Sequence, residues 1–175
     1  MKKVIFFALF FFAGFYMPVN AQELKSTFLF DLEISTHPPQ AVGRVLTGTR
    51  LIFPFKAGVV KGDKINGQII DGGGEWGLMT DSTTFKMDSR ATIRTDDGAL
   101  IYIAYTGYNY ADGPASALLR MGKGSELSPA EYYFRSTPVF ETSAPKYAWL
   151  NHTVAVGVGR FAAPGKIVYR IYAIQ

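Results

Sequence analysis

The stretch Phe85-Lys86-Met87-Asp88-Ser89-Arg90-Ala91-Thr92-Ile93-Arg94-Thr95, followed by Asp96-Asp97-Gly98, decides the fold. Its odd positions are Phe, Met, Ser, Ala, Ile and Thr, and its even positions are Lys, Asp, Arg, Thr and Arg. A period of two is the signature of a strand with one face buried and one face polar. Asp-Gly between this run and the next, Ala99–Asn109, is a strong short-range hairpin signal.

The same period recurs on both sides. Leu24, Ser26, Phe28, Phe30, Leu32 and Ile34 share one face of a first strand that Pro38-Pro39 ends. Further strand-like runs are Thr49–Phe55, Gly62–Ile70, Tyr132–Thr142, Ala148–Phe161 and Lys166–Ile174. Eight runs separated by Gly, Pro and Asp breaks fit a closed barrel or a sandwich. The expectation is all-β: a single antiparallel β-barrel of about eight strands, with at most one or two short helical turns. Residues 111–128 form the one long polar, Gly-rich break, the kind of segment that often serves as a lid or binding loop. Ser128-Pro129-Ala130-Glu131 has capping-box spacing with proline at the first helical position, which predicts one helical turn. Gly72-Gly73-Gly74-Glu75-Trp76 resembles a phosphate loop, but no helix pattern follows to supply the helix N-terminus such a site uses, so it reads as a flexible turn.

The N-terminus reads differently. Met1-Lys2-Lys3 is a basic start, Val4 to Met17 is an uncharged apolar run, and Val19-Asn20-Ala21 ends in small-residue style. This is the pattern of a cleavable signal peptide. The apolar run of about 14 residues falls short of the roughly 20 that span a bilayer. We therefore expect residues 1–21 to be a signal peptide and 22–175 a single barrel domain, exported to the periplasm or beyond. No stable membrane anchor should remain after cleavage near Ala21-Gln22. The chain has no cysteine, which excludes a lipid-modified cysteine as an anchor.

The formal charge of +4 includes Lys2 and Lys3, so the remainder carries only +2, with cations interleaved among acids. A nucleic-acid footprint would need Lys and Arg clustered on one face. With no cysteine and only His37 and His152, zinc and copper centres are not expected, nor is any cofactor. His152 falls within an apolar strand pattern, where a hydrogen-bonded structural histidine is the simpler reading. Asp96-Asp97 reads as a turn rather than an acid–base pair.

The polar faces of the strands are either solvated or directed into a barrel mouth, and barrels of about eight strands can hold one small ligand. Tyr133, Arg135, Thr137 and Glu141 share one face, and Trp149, Asn151 and Thr153 another. Arg135 and Glu141 lie about 20 Å apart along a strand, so each needs a partner elsewhere.

Several segments occur together in a familiar order: Gly48-Thr49-Arg50, Gly58-Val59-Val60-Lys61-Gly62, Gly72 to Trp76, Arg90 to Ala99, Tyr133 to Thr142, and Trp149-Leu150-Asn151. Over residues 24–174 the chain resembles domain-of-unknown-function family 3237, also called uncharacterised protein family 0311. The resemblance implies one β-barrel-like domain and no established activity. Family members often carry Asp before the tryptophan, where this chain has Glu75.

Three functions follow as expectations. The first is a barrel binding a small, largely apolar molecule with an acidic or hydroxyl group, met by Arg90, Tyr133, Arg135, Glu141, Trp149 and Asn151. The second is a cofactor-free isomerase, cyclase or lyase with Glu141 or Glu75 as general acid or base. The third, an outer-membrane barrel, fits poorly with Lys and Arg spread throughout and a chain ending Ala173-Ile174-Gln175. A carboxylate with a raised pKa in a closed apolar pocket would favour catalysis.

Overall fold

The computed structural model describes residues 23–175, and the expected signal peptide lies outside them. Nine strands form one antiparallel sheet: β1 (Ser26–Thr36), β2 (Gln40–Val45), β3 (Gly48–Lys61), β4 (Gly67–Met79), β5 (Thr84–Thr95), β6 (Leu100–Tyr110), β7 (Tyr133–Glu141), β8 (Ala155–Ala163) and β9 (Lys166–Ile174). From β3 to β9 each strand pairs with the next, β9 pairs with β1, and β1 returns to β3. The result is a closed eight-stranded barrel, with β2 as an extra strand hydrogen-bonded to the first half of β3.

The deciding stretch behaves as its period requires. Met87, Ser89, Ala91, Ile93 and Thr95 are buried inside the barrel, while Lys86, Arg90 and Arg94 are exposed outside. Gly98 takes φ +86° in the β5–β6 turn. The β5–β6 ladder runs without a break from Thr84↔Tyr110 to Arg94↔Leu100. By contrast β7 and β8 share only Arg135↔Val158 and Ser136↔Gly157.

Several boundaries differ from the sequence expectation, each for a physical reason. Along β1 the register slips between Phe28 and Phe30, so Leu29 is buried and Phe28 turns outward against Tyr172. A bulge inserts one residue and swaps the faces on either side of it. The glycine run is not a turn. It is the middle of β4, where the pairing to both neighbours slips beside Gly72 at φ +100°. Residues 111–128 are not structureless: α1 (Gly113–Arg120) carries Pro114 in its first turn, and a 3-10 turn follows at Gly124–Glu126. Ser128 and Glu131 do close a capping box on the short 3-10 turn Pro129–Glu131. Trp149, Asn151 and His152 lie in a 3-10 segment, Pro145–His152, rather than in a strand; Pro145 supplies its first position.

The core occupies one half of the barrel. Phe30, Leu32, Val60, Ile65, Ile93, Ile101, Ile103, Leu150 and Ile171 are all essentially inaccessible. The Pro145–His152 segment plugs this end, inserting Tyr147 and Leu150. Lys146 and Tyr147 tie the plug to the β5–β6 turn through Asp97, at 2.6 Å and 3.1 Å. Asn151 completes the closure by exchanging two hydrogen bonds with the Thr142 backbone, at 2.8 and 2.9 Å.

Candidate functional site

The other half of the barrel is hollow. A cavity of about 1030 Å³ opens at its end, ringed by the β2–β3 hairpin, the turn at Asp81–Thr83, α1 with its following turn, and the β8–β9 turn. That volume lies at the upper end of the range for small-molecule sites. Its walls are Leu51, Phe53, Phe55, Phe85, Met87, Phe134, Phe161 and Ile167. Gly77 makes room for the tip of the Phe85 ring, since a Cβ there would come within 1.8 Å of it.

One carboxyl group stands on the floor. Glu75 of β4 sits across from Phe53 of β3 and Ser89 of β5, and is 8% exposed. The Ser89 hydroxyl donates to Oε2 at 2.5 Å, and the Asp88 amide donates to Oε1 at 2.7 Å. Burial pushes the Glu75 carboxyl up to about 7. The Ser89 and Asp88 hydrogen bonds and the Arg50 charge pull it down, while the Asp88 carboxylate adds to the rise. Desolvation wins because a charge in an apolar cavity has lost its water.

Tyr105 and Tyr169 complete the floor. Their rings lie 5.1 Å apart, and both are almost wholly buried. Burial holds both hydroxyls well above the usual phenol range, with the Glu75 charge adding to the rise in each and Tyr105 to that of Tyr169, so they stay protonated at neutral pH. The Tyr169 hydroxyl donates weakly to Met87 Sδ at 3.6 Å. The floor therefore offers one acid–base group and two neutral phenols beneath walls made largely of aromatic and aliphatic side chains. Among the described residues, no group of three or more His, Cys, Asp or Glu is placed to hold a metal ion.

The residues singled out from the sequence divide sharply. Glu75 is in the cavity; Arg90, Tyr133, Arg135, Glu141, Trp149 and Asn151 are not among its lining residues. Arg90 lies on the outer wall, paired with Asp88 at 3.1 Å and 5.6 Å from the Trp76 ring centroid. Arg135 lies over the Tyr133 ring at 5.2 Å and donates to the Phe134 carbonyl at 3.0 Å. Glu141 is exposed at the far end of β7, Trp149 is 38% exposed under Lys64 at 5.9 Å, and Asn151 braces the plug. Of the two readings of the polar strand faces, the solvated one describes these six residues: the inward positions of the strands carry the apolar and aromatic side chains that line the cavity, so the alternate, charged positions face out. Segment 111–128 does form part of the rim, through Ser116, Leu119 and Arg120.

Ser89, Asn109, Tyr105 and Tyr169 were not anticipated. The signal was present for the first two: each is a polar residue on the otherwise apolar face of its strand. Tyr105 and Tyr169 are indistinguishable in sequence from ordinary core tyrosines.

The comparisons with known proteins agree with the fold. The profile of the family described as "Protein of unknown function (DUF3237)" matches residues 24–174. A UPF0311 protein of Clostridium acetobutylicum is 31% identical over 158 residues, covering 89% of this chain and 98% of that protein. A UPF0311 protein of Rhodopseudomonas palustris is 31% identical over 134 residues, covering 77% and 86% respectively. A solved β-barrel-like protein from Acinetobacter baumannii superposes with TM-score 0.77 at 31% identity, over 90% of this chain and 99% of that one. The chain belongs to the DUF3237 family.

Proposed function

We propose that this DUF3237 member admits a small, largely apolar molecule with a hydroxyl or acidic group into its barrel mouth, and that Glu75 moves a proton on it. The chemistry would be that of a cofactor-free isomerase, cyclase or lyase. The observation that carries this reading is the Glu75 carboxyl on the floor of an apolar chamber, with its pKa near 7. A group that is half-ionised near neutral pH is suited to both accept and return a proton. Tyr105 and Tyr169, kept neutral beside it, can donate hydrogen bonds to negative charge that develops on the substrate.

The outer wall supports a water-soluble barrel. It carries the pairs Asp31–Arg170 and Glu33–Lys166, where a lipid-facing band would be free of charge. Export, with cleavage after Ala21, belongs to the same proposal and rests on the leader-like residues 1–21.

The test uses the protein in the form its own host produces. Native mass spectrometry should find a small molecule bound to wild type and to Glu75→Gln alike. Incubated with a host metabolite extract, wild type should convert a component without change of mass or with loss of a small fragment, and Glu75→Gln should not. Equal conversion by both proteins would remove Glu75 from the chemistry, and the absence of any bound species would overturn the binding half.

A further inference from the structure

The proposed proton transfer leaves one buried polar group of the cavity without a task. Asn109 of β6 is 7% exposed and lines the chamber, and its Oδ1 is buried with no hydrogen-bond partner. A buried amide without a partner is unfavourable, and native proteins rarely keep one without a reason. The Ser136 hydroxyl is likewise unpartnered, but it lies outside the chamber and is boxed in: a Cβ on Gly157 would come within 2.3 Å of it. Asn109 differs because it borders open space. The terminal torsion of asparagine is broad and two-fold, so a turn about it brings either end of the amide toward the cavity.

Position gives the amide a meaning. On the strand ladders Asn109 sits between Phe85 and Phe134, so it is the polar member of an aromatic row nearer the mouth. Tyr105 sits across from Ser89, in the row of Glu75. Four residues along a strand separate the two rows by about 13 Å.

We propose that Asn109 is a second polar anchor, which binds a hydroxyl of the molecule whose other polar group meets Glu75. The ligand is then an elongated, largely apolar molecule with polar groups at both ends. This rests on the cavity reading above and adds a specificity-determining residue to it. A site built to pair with a hydroxyl discriminates against an analogue that lacks the donor, because the protein group is then left unsatisfied.

Calorimetric titration with 2,6-dihydroxynaphthalene and 6-methoxy-2-naphthol tests the assignment. The two oxygens of the diol, with a hydrogen bond at each end, span roughly the required distance. Wild type should bind the diol about tenfold more tightly than the methyl ether, the effect of one buried hydrogen bond. Asn109→Leu should bind both probes alike and melt at the same temperature as wild type or higher. Equal affinity of wild type for the two probes would overturn the role of Asn109 while leaving the cavity reading intact. A lower melting temperature for Asn109→Leu would show a structural amide and overturn the role too. Failure of wild type to bind either probe would overturn the cavity reading and the anchor with it.

Discussion

The two ends of the barrel use carboxylates in opposite ways. At the plugged end Asp97 accepts from Lys146, Thr95 and Tyr147, and these contacts hold its carboxyl far below the usual range. At the open end Glu75 accepts two hydrogen bonds as well, yet its carboxyl is pushed up. The difference is water and countercharge: Asp97 is solvated with an ammonium directly against it, whereas Glu75 is enclosed. One end spends its polar residues on closure, and the other keeps an unsettled charge facing empty space.

The contrast predicts that damage at the plugged end is the most destabilising. Leu150→Ala removes a side chain that is 1% exposed from the packed half and should cost about 2–5 kcal/mol in denaturant unfolding. A loss much below that would mean the plug is loosely seated and that the ends are less different than they look.

Next comes the pH dependence at the open end. The folded-state pKa of Glu75 is raised, so between about 4.5 and about 7 the unfolded chain gives up its proton while the folded one keeps it. Stability from this group is therefore fully present below about pH 4.5 and is lost as pH rises through about 7. The shift corresponds to about 3 kcal/mol. Melting curves across this range should show that decline in wild type, and Glu75→Gln should flatten it. A wild-type profile rising over the same interval would remove the central asymmetry.

Asn151→Ala should have a smaller effect. It deletes the two hydrogen bonds to the Thr142 backbone and should lower stability by about 1 kcal/mol while leaving probe binding in the cavity unchanged. Smallest of all are Arg90→Ala and Arg135→Ala on the outer wall, each expected within about 0.5 kcal/mol of wild type and without effect on cavity binding. Loss of ligand affinity in either would return the outer polar faces to consideration.

Much of this architecture was legible in the residues. Period-two alternation from Phe85 to Thr95 and the Asp-Gly turn marked the β5–β6 hairpin, because a strand with one buried face must alternate. The site was legible only at Glu75. Side-chain parity tells which residues share a face but not whether a polar face lines the mouth or meets water, so parity alone leaves that choice open. The bulge at Leu29 was hidden for a related reason: an inserted residue changes parity without leaving a compositional mark. The Trp-Leu-Asn segment read as a strand because a 3-10 turn of this length shows no periodicity of its own. Its buried anchors, Tyr147 and Leu150, become visible only once the barrel end exists to receive them.

The circular pairing also sets an order of events during folding. β1 lies between β3 and β9, with Ser26 across from Ile174, so the first strand of the barrel is hydrogen-bonded to the last. A folding chain can assemble the meander from β3 onward by local steps, but the ring cannot shut until β9 is available to pair with β1. Such end-to-end pairing has high contact order, which slows folding. Until that moment β1 and β8 each present an unpaired edge, the kind of surface on which another chain can add a strand.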